Sequence, residues 1–161
     1  MNSQTGNFFI RSNRESRPQK GQSLVELALT ITILLTLLAG AFDLGSAFLD
    51  YIALRDAAQE GAMYGSIDPK NTDSIVERVQ NSSDTPVDFS TFVLDCSPFL
   101  QDSPDSICVN FPGETCTGNE ITVTVRYHYN LTMPLIGTII GSQTIPLHAS
   151  VTNVILTEAC E

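Results

Sequence analysis

The sequence predicts an α+β chain in which one long N-terminal helix carries a small antiparallel-sheet domain. Three features predict it. From Leu27 to Phe42 the chain is apolar and carries no charge at all. A periodicity of three and four continues from Asp43 to about Gly65 with no proline to interrupt it. Two later stretches, 120–131 and 145–156, alternate apolar and polar residues, as strands with one buried face do.

The apolar run reaches back to Leu24. The segment 24–42 is about 19 residues long, just enough helix at 1.5 Å per residue to cross a hydrocarbon core about 30 Å thick. Glu26 lies one turn inside that span. An acid costs about 2.5 to 3.5 kcal/mol at the centre of a membrane helix and less toward an end, so Glu26 either reaches the headgroups or has a partner and a task. Four of the eight bases, Arg11, Arg14, Arg17 and Lys20, precede Gly21 against a single acid, Glu15. The rest of the chain holds four bases against 17 acids. That asymmetry predicts a single pass with the N-terminus in the cytoplasm and the acidic domain outside the cytoplasmic membrane. It leaves no basic surface for nucleic acid.

A basic leader, Gly21 at the junction, Glu26 fifth in line after it and then an apolar helix resemble a type IV prepilin. The resemblance implies that a prepilin peptidase removes residues 1–21, cutting between Gly21 and Gln22. Ala39-Gly40-Ala41 offers a rival, since a secretory signal is cut behind small residues after its apolar region, here between Ala41 and Phe42. The rival leaves Gly21 and Glu26 unexplained. The runs Gly21-Gln22-Ser23-Leu24-Val25-Glu26-Leu27-Ala28-Leu29, Phe42-Asp43-Leu44-Gly45 and Ala57-Ala58-Gln59-Glu60-Gly61-Ala62-Met63-Tyr64-Gly65 are similar to the N-terminal half of TadE-like proteins. These are minor pilins or pseudopilins of the tight-adherence pilus machinery. Gln59 and Met63 stand where that family usually carries Arg, so the basic character of that turn is missing. The resemblance implies a structural subunit without a cofactor, whose partners are the prepilin peptidase and other pilin subunits. It also implies that Glu26 is the assembly residue, neutralised by a freed α-amino group on its own or a neighbouring subunit.

Taken from Gln22 to Tyr64, the helix extends about 65 Å, about twice a bilayer core. Leu44, Phe48, Tyr51, Leu54 or Arg55, and Ala58 fall near one face, with Asp43, Asp50 and Asp56 on others. Ala53, Ala57, Gly61 and Gly65 recur every fourth residue, a stripe of small side chains that lets another backbone approach. That approach is either the protein's own sheet or another helix. The sheet is the reading adopted for this stripe, with helix packing between subunits assigned to Gly40 and Gly45. Asp68-Pro69 ends the helix. The expected organisation is a leader over 1–21, a long helix over 22–66 with 24–42 in the membrane, and a head over 67–161.

Within the head, Thr72 to Val79 predicts a short helix with a Thr or Asp cap and Ile75, Val76 and Val79 on one side. Val87 to Cys96 alternates in part and is read as a strand. The segment 97–118 is rich in turns, with only 107–111 suited to a short strand. Next, Ile121, Val123, Val125, Tyr127 and Tyr129 line one face of a strand, opposite Thr122, Thr124, Arg126 and His128. Its mate begins at Ile145. Between them Met133 to Gly141 is apolar but broken by Pro134 and Gly137, and is read as a loop that docks on the helix or offers an apolar patch to a neighbour.

Matching the polar faces of the two strands sets His128 opposite His148. Two histidines with no third ligand in view predict no metal site. Cys96, Cys108, Cys116 and Cys160 all fall in the exported part and predict two disulfides, since no C-x-x-C spacing points to zinc or redox chemistry. Extending the histidine register brings position 116 opposite 160, so the expected pairs are Cys116–Cys160 and Cys96–Cys108. No nucleophile elbow or other catalytic constellation is present, and an enzyme is not expected. The function read from these features is a structural minor pilin. The alternative is an unprocessed, single-span, membrane-anchored exodomain that binds a surface partner or carbohydrate.

Overall fold

The computed structural model describes residues 20–83, 85–100 and 102–157, so the leader as far as residue 19 and Cys160 lie outside the described residues. Helix α1 (Lys20–Gly65) runs for 46 residues without a break. It belongs to two compact units, one ending at Thr36 and the other running from Leu37 to the C-terminus.

In the first unit every described side chain from Gly21 to Thr36 is exposed. Thr30, Thr32 and Thr36 each donate a hydroxyl hydrogen bond at 2.8 Å to the carbonyl four residues earlier. The helix thereby satisfies its own polar side chains, as an apolar surround requires.

The second unit is built on the remainder of α1, on α2 (Thr72–Gln80) and on a four-stranded sheet of order β1-β2-β3-β4. The strands are β1 (Val93–Leu94), β2 (Ser106–Asn110), β3 (Glu120–Asn130) and β4 (Thr144–Val154). A third helix, α3 (Pro134–Ile140), joins β3 to β4. The architecture is α+β, and the sheet is mixed: β3 pairs antiparallel with β2 and β4, while the two-residue edge β1 is parallel to β2.

Alternation determines which side of β3 is buried. Ile121, Val123 and Val125 are fully enclosed and meet Leu54, Ala57, Ala58 and Ala62 of α1 and Ile75 and Val79 of α2 in one core. Thr122 and Thr124 point the other way and bond across to Thr152 and Ser150 at 2.8 and 2.9 Å. The helix reaches the sheet through its smallest residues. A Cβ on Gly61 would lie 2.5 Å from Val79 Cγ2 and 3.3 Å from Val123 Cγ1, and one on Gly65 would overlap Ile121 Cδ1.

The buried side of α1 therefore follows Asp43, Asp50, Leu54, Ala57, Gly61 and Gly65, while Leu44, Phe48 and Tyr51 stand exposed. Side-chain size decides this: the sheet selects the face that lets it come close, and the bulkier apolar face is left outward.

Four sequence expectations are corrected. Instead of a strand over 87–96 there is a 3₁₀ turn at Phe89–Thr91 and then only β1, because Asp88 caps the turn by accepting from Ser90 N at 3.0 Å. The segment 133–141 is not a loop, since Pro134 opens a helix that Gly141 closes at φ 84°. The cap of α2 is Asn71, whose side chain accepts from Ser74 N at 3.2 Å, ahead of the Thr or Asp expected. The register of β3 on β4 slides by two residues, so His128 faces Pro146 and His148 faces Arg126. Both registers keep the faces, and the observed one aligns the hydroxyl pairs just described.

Overpacking a seat this close should cost about 1 to 3 kcal/mol. Gly61→Val and Gly65→Val are each expected to lower the urea midpoint of the detergent-solubilised protein, read by circular dichroism. Gly45→Ala, where an added Cβ meets nothing within 4 Å, is the control and should not lower it. Equal midpoints in all three would contradict this packing.

Candidate assembly segment

Gly21 and Gln22 lie in the first turn of α1 and are exposed, and a Cβ on Gly21 would touch nothing within 4 Å. The bond between them is open to approach. One turn on, Glu26 is exposed too; its backbone carbonyl accepts from Thr30 Oγ1, and its carboxylate has no partner among the described residues. From Leu24 through Leu38 the large apolar side chains stand in the open. By length and composition this helix can cross a membrane.

The small residues fall into two environments. Ala57, Gly61 and Gly65 are buried in the head's core, with Ala53 packed at its margin. Gly40 is partly covered, its missing Cβ position lying 3.8 Å from Ile136 Cδ1 of α3, while Gly45 is open on all sides.

Two acids that the sequence reading set aside prove central. Asp43 is 2% exposed. Its Oδ2 accepts from the backbone N–H of Met133 at 3.0 Å, its carbonyl accepts from the Tyr129 hydroxyl at 3.2 Å, and its Oδ1 has no hydrogen-bond partner among the described residues. Asp50, two turns further, is also buried, and burial pushes its carboxyl above the usual range. Burial likewise raises the phenol of Tyr127, with the charge of Asp50 as the next cause. The signal was present in the sequence: Asp43 and Asp50 are seven residues apart and share a side with Leu54, Ala57 and Gly61.

The head is tied at other points. Cys96 and Cys108 form a disulfide with Cα atoms 4.7 Å apart, holding the strand that follows the 3₁₀ turn against β2. Closing a loop of 12 residues adds about 3 kcal/mol in the chain-entropy account. Cys116 is disulfide-bonded as well, and Cys160 lies outside the described residues. His128 is occupied locally: Nδ1 lies 2.9 Å from Asp105 Oδ1, Nε2 lies 3.1 Å from the Leu100 carbonyl, and the ring sits on Phe99. His148 is on the neighbouring strand across from Arg126, so the two histidines do not converge.

A family model described as TadE-like protein matches residues 21–63. Over that stretch the chain is similar to TadE-like proteins. The match opens at the Gly21–Gln22 bond, takes in Glu26, the whole apolar run and both buried acids, and stops short of Gly65. The sheet-bearing head lies outside it. No curated protein and no solved structure matched the chain. The TadE-like family is structural and not enzymatic.

The buried Asp50 gives a signed pH dependence. Because the folded-state pKa of Asp50 is raised above 3.8, the folded protein holds this proton more tightly than the unfolded chain. Below that value the group costs nothing; as pH rises through the folded pKa, its ionisation destabilises the head. Asp50→Asn should therefore raise the thermal midpoint at pH 7 relative to the native chain, with the gain shrinking toward pH 3 and below. A difference that does not vary with pH would show that Asp50 is not held in a disfavoured charged state.

Proposed function

We propose that this protein is a minor pilin, or pseudopilin, of a tight-adherence pilus, anchored in the cytoplasmic membrane by residues 24–42 and processed between Gly21 and Gln22. Its head lies outside the cell membrane, and the mature helix packs among those of other pilin subunits. The observation that carries this reading is the geometry of the first turn. An open Gly21–Gln22 bond is followed by an exposed Glu26, unpartnered among the described residues, at the head of a charge-free apolar surface. A carboxylate in that setting is costly in lipid until a cation neutralises it, and the α-amino group freed on Gln22, four residues away in sequence, is the nearest cation that processing could supply.

Assembly then follows from charge neutralisation. Before neighbours arrive, Glu26 resists full burial of its helix. With the amino terminus of the same or an adjacent subunit beside it, the pair enters the apolar interior with less cost. Gly45, open on all sides, offers a point at which a neighbouring helix can approach closely, and Gly40 does so less freely beneath α3. The acidic head contributes no basic patch for nucleic acid.

Two substitutions test the reading. Gly21→Leu adds a side chain at the cut and should leave the leader attached, seen as the larger species on immunoblots of cells producing the peptidase. Normal processing of that variant would count against a prepilin. Glu26→Gln should insert in the membrane as well as the native chain yet be depleted from sheared surface filaments. Equal recovery of the two chains would reduce Glu26 to a headgroup contact.

A further inference from the structure

We infer that α3 is a membrane-seated helix: it rests in the outer interfacial region of the bilayer beside α1, so that the head meets lipid through its own surface. This rests on the membrane-anchoring reading of residues 24–42.

The level of α3 along α1 is fixed by contacts of the chain leading into it and of its own side. Met133, just before α3, bonds to Asp43, the residue after the apolar run. Tyr129, at the end of β3, bonds to the carbonyl of the same Asp43. Ile136, one turn into α3, covers Gly40. Helix α3 therefore lies beside the turn at residues 40–43, which is the last turn of the predicted span. If Phe42 is at the boundary of the hydrocarbon, α3 is there with it.

The surface at that level suits lipid and not water. No charged residue occurs between Leu131 and Gln143. Ile140 is 57% exposed, and Phe42 and Leu44, on either side of Asp43 in α1, are 68% and 72% exposed. Among the described residues at this level Asp43 is the one charge, and it is turned inward and bonded; the exposed polar residues of the segment, Thr132 and Thr138, are uncharged. Exposed apolar side chains on a rim beyond the span continue the apolar face of the spanning helix itself, and that continuity makes lipid the occupant. The acidic groups of the head are not needed for this contact, which is one of apolar burial.

The test uses the full chain in phosphatidylcholine vesicles, its native disulfides intact. Ile140→Cys, Leu34→Cys and Glu120→Cys are each labelled with a small environment-sensitive fluorophore and probed with iodide and with lipids brominated at shallow or deep acyl positions. The Leu34 label should be quenched most by deep bromines, and the Glu120 label by iodide alone. The Ile140 label should emit to the blue of the Glu120 label, resist iodide and be quenched most by shallow bromines. An Ile140 label as open to iodide as that at Glu120, with the Leu34 label in lipid, overturns the inference and leaves the anchor standing. An Ile140 label shielded from iodide but untouched by bromolipid means that protein covers α3, which also overturns it. A Leu34 label outside lipid removes the anchor and this inference together. In the unsubstituted chain, a phospholipid bearing a photoactivatable carbene precursor near its glycerol end should tag peptides from 134–140; tags confined to 24–42 contradict the proposal.

Discussion

The close seat of α1 on the sheet is the constraint on which the rest of the head depends. At Gly61 and Gly65 the helix backbone comes against Val79, Val123, Ile75 and Ile121 with no room for a Cβ. That contact selects the side of the helix that is buried, and every other feature of α1 beyond Leu37 follows from the selection. Leu54, Ala57, Ala58 and Ala62 go inward with the glycines. Leu44, Phe48, Leu49 and Ile52 are left outward, extending an apolar surface past the charge-free run.

The same selection buries Asp43 and Asp50. A buried carboxylate is costly without bonds to replace water, and the protein supplies them unevenly. One oxygen of Asp43 is satisfied by Met133 N–H and the other by none of the described residues. Asp50 is simply desolvated. What Asp43 provides in return is position: together with the Tyr129 hydroxyl it joins the end of β3 and the start of α3 to the helix at a defined height. A charge that would interrupt the apolar surface is thereby hidden, and the connection between β3 and β4 is held against the turn where the predicted span ends.

Local signals made much of the fold legible in the sequence. The apolar run, the uninterrupted periodicity to Gly65, the alternation in β3 and β4 and the Asp68-Pro69 stop each depend on residues close together in the chain. What failed was one long-range register and three local end signals, the Asp88 and Asn71 caps and the Pro134 and Gly141 ends of α3. The β3–β4 register turned on hydroxyl pairs and on a helix in the connection, and two histidines offered a plausible match that the polar face did not need. The segment 133–141 reads as broken because it contains proline and glycines, yet Pro134 stands where a helix start accepts it and Gly141 where a helix end requires it. Of the candidate site, the Gly21–Glu26 spacing is a local pattern, whereas Asp43 and Asp50, placed by the sequence on faces other than that of Leu44, Phe48 and Tyr51, are buried because the sheet takes their side of the helix.

The central claim is that this helix is released at its first turn to assemble. The intact mass of the chain purified from a membrane that contains its peptidase tests this most directly. The account predicts a mature protein beginning at Gln22, whose new α-amino group lies within the same helical turn region as Glu26. A mass corresponding to the full chain, or to a cut between Ala41 and Phe42, would contradict it.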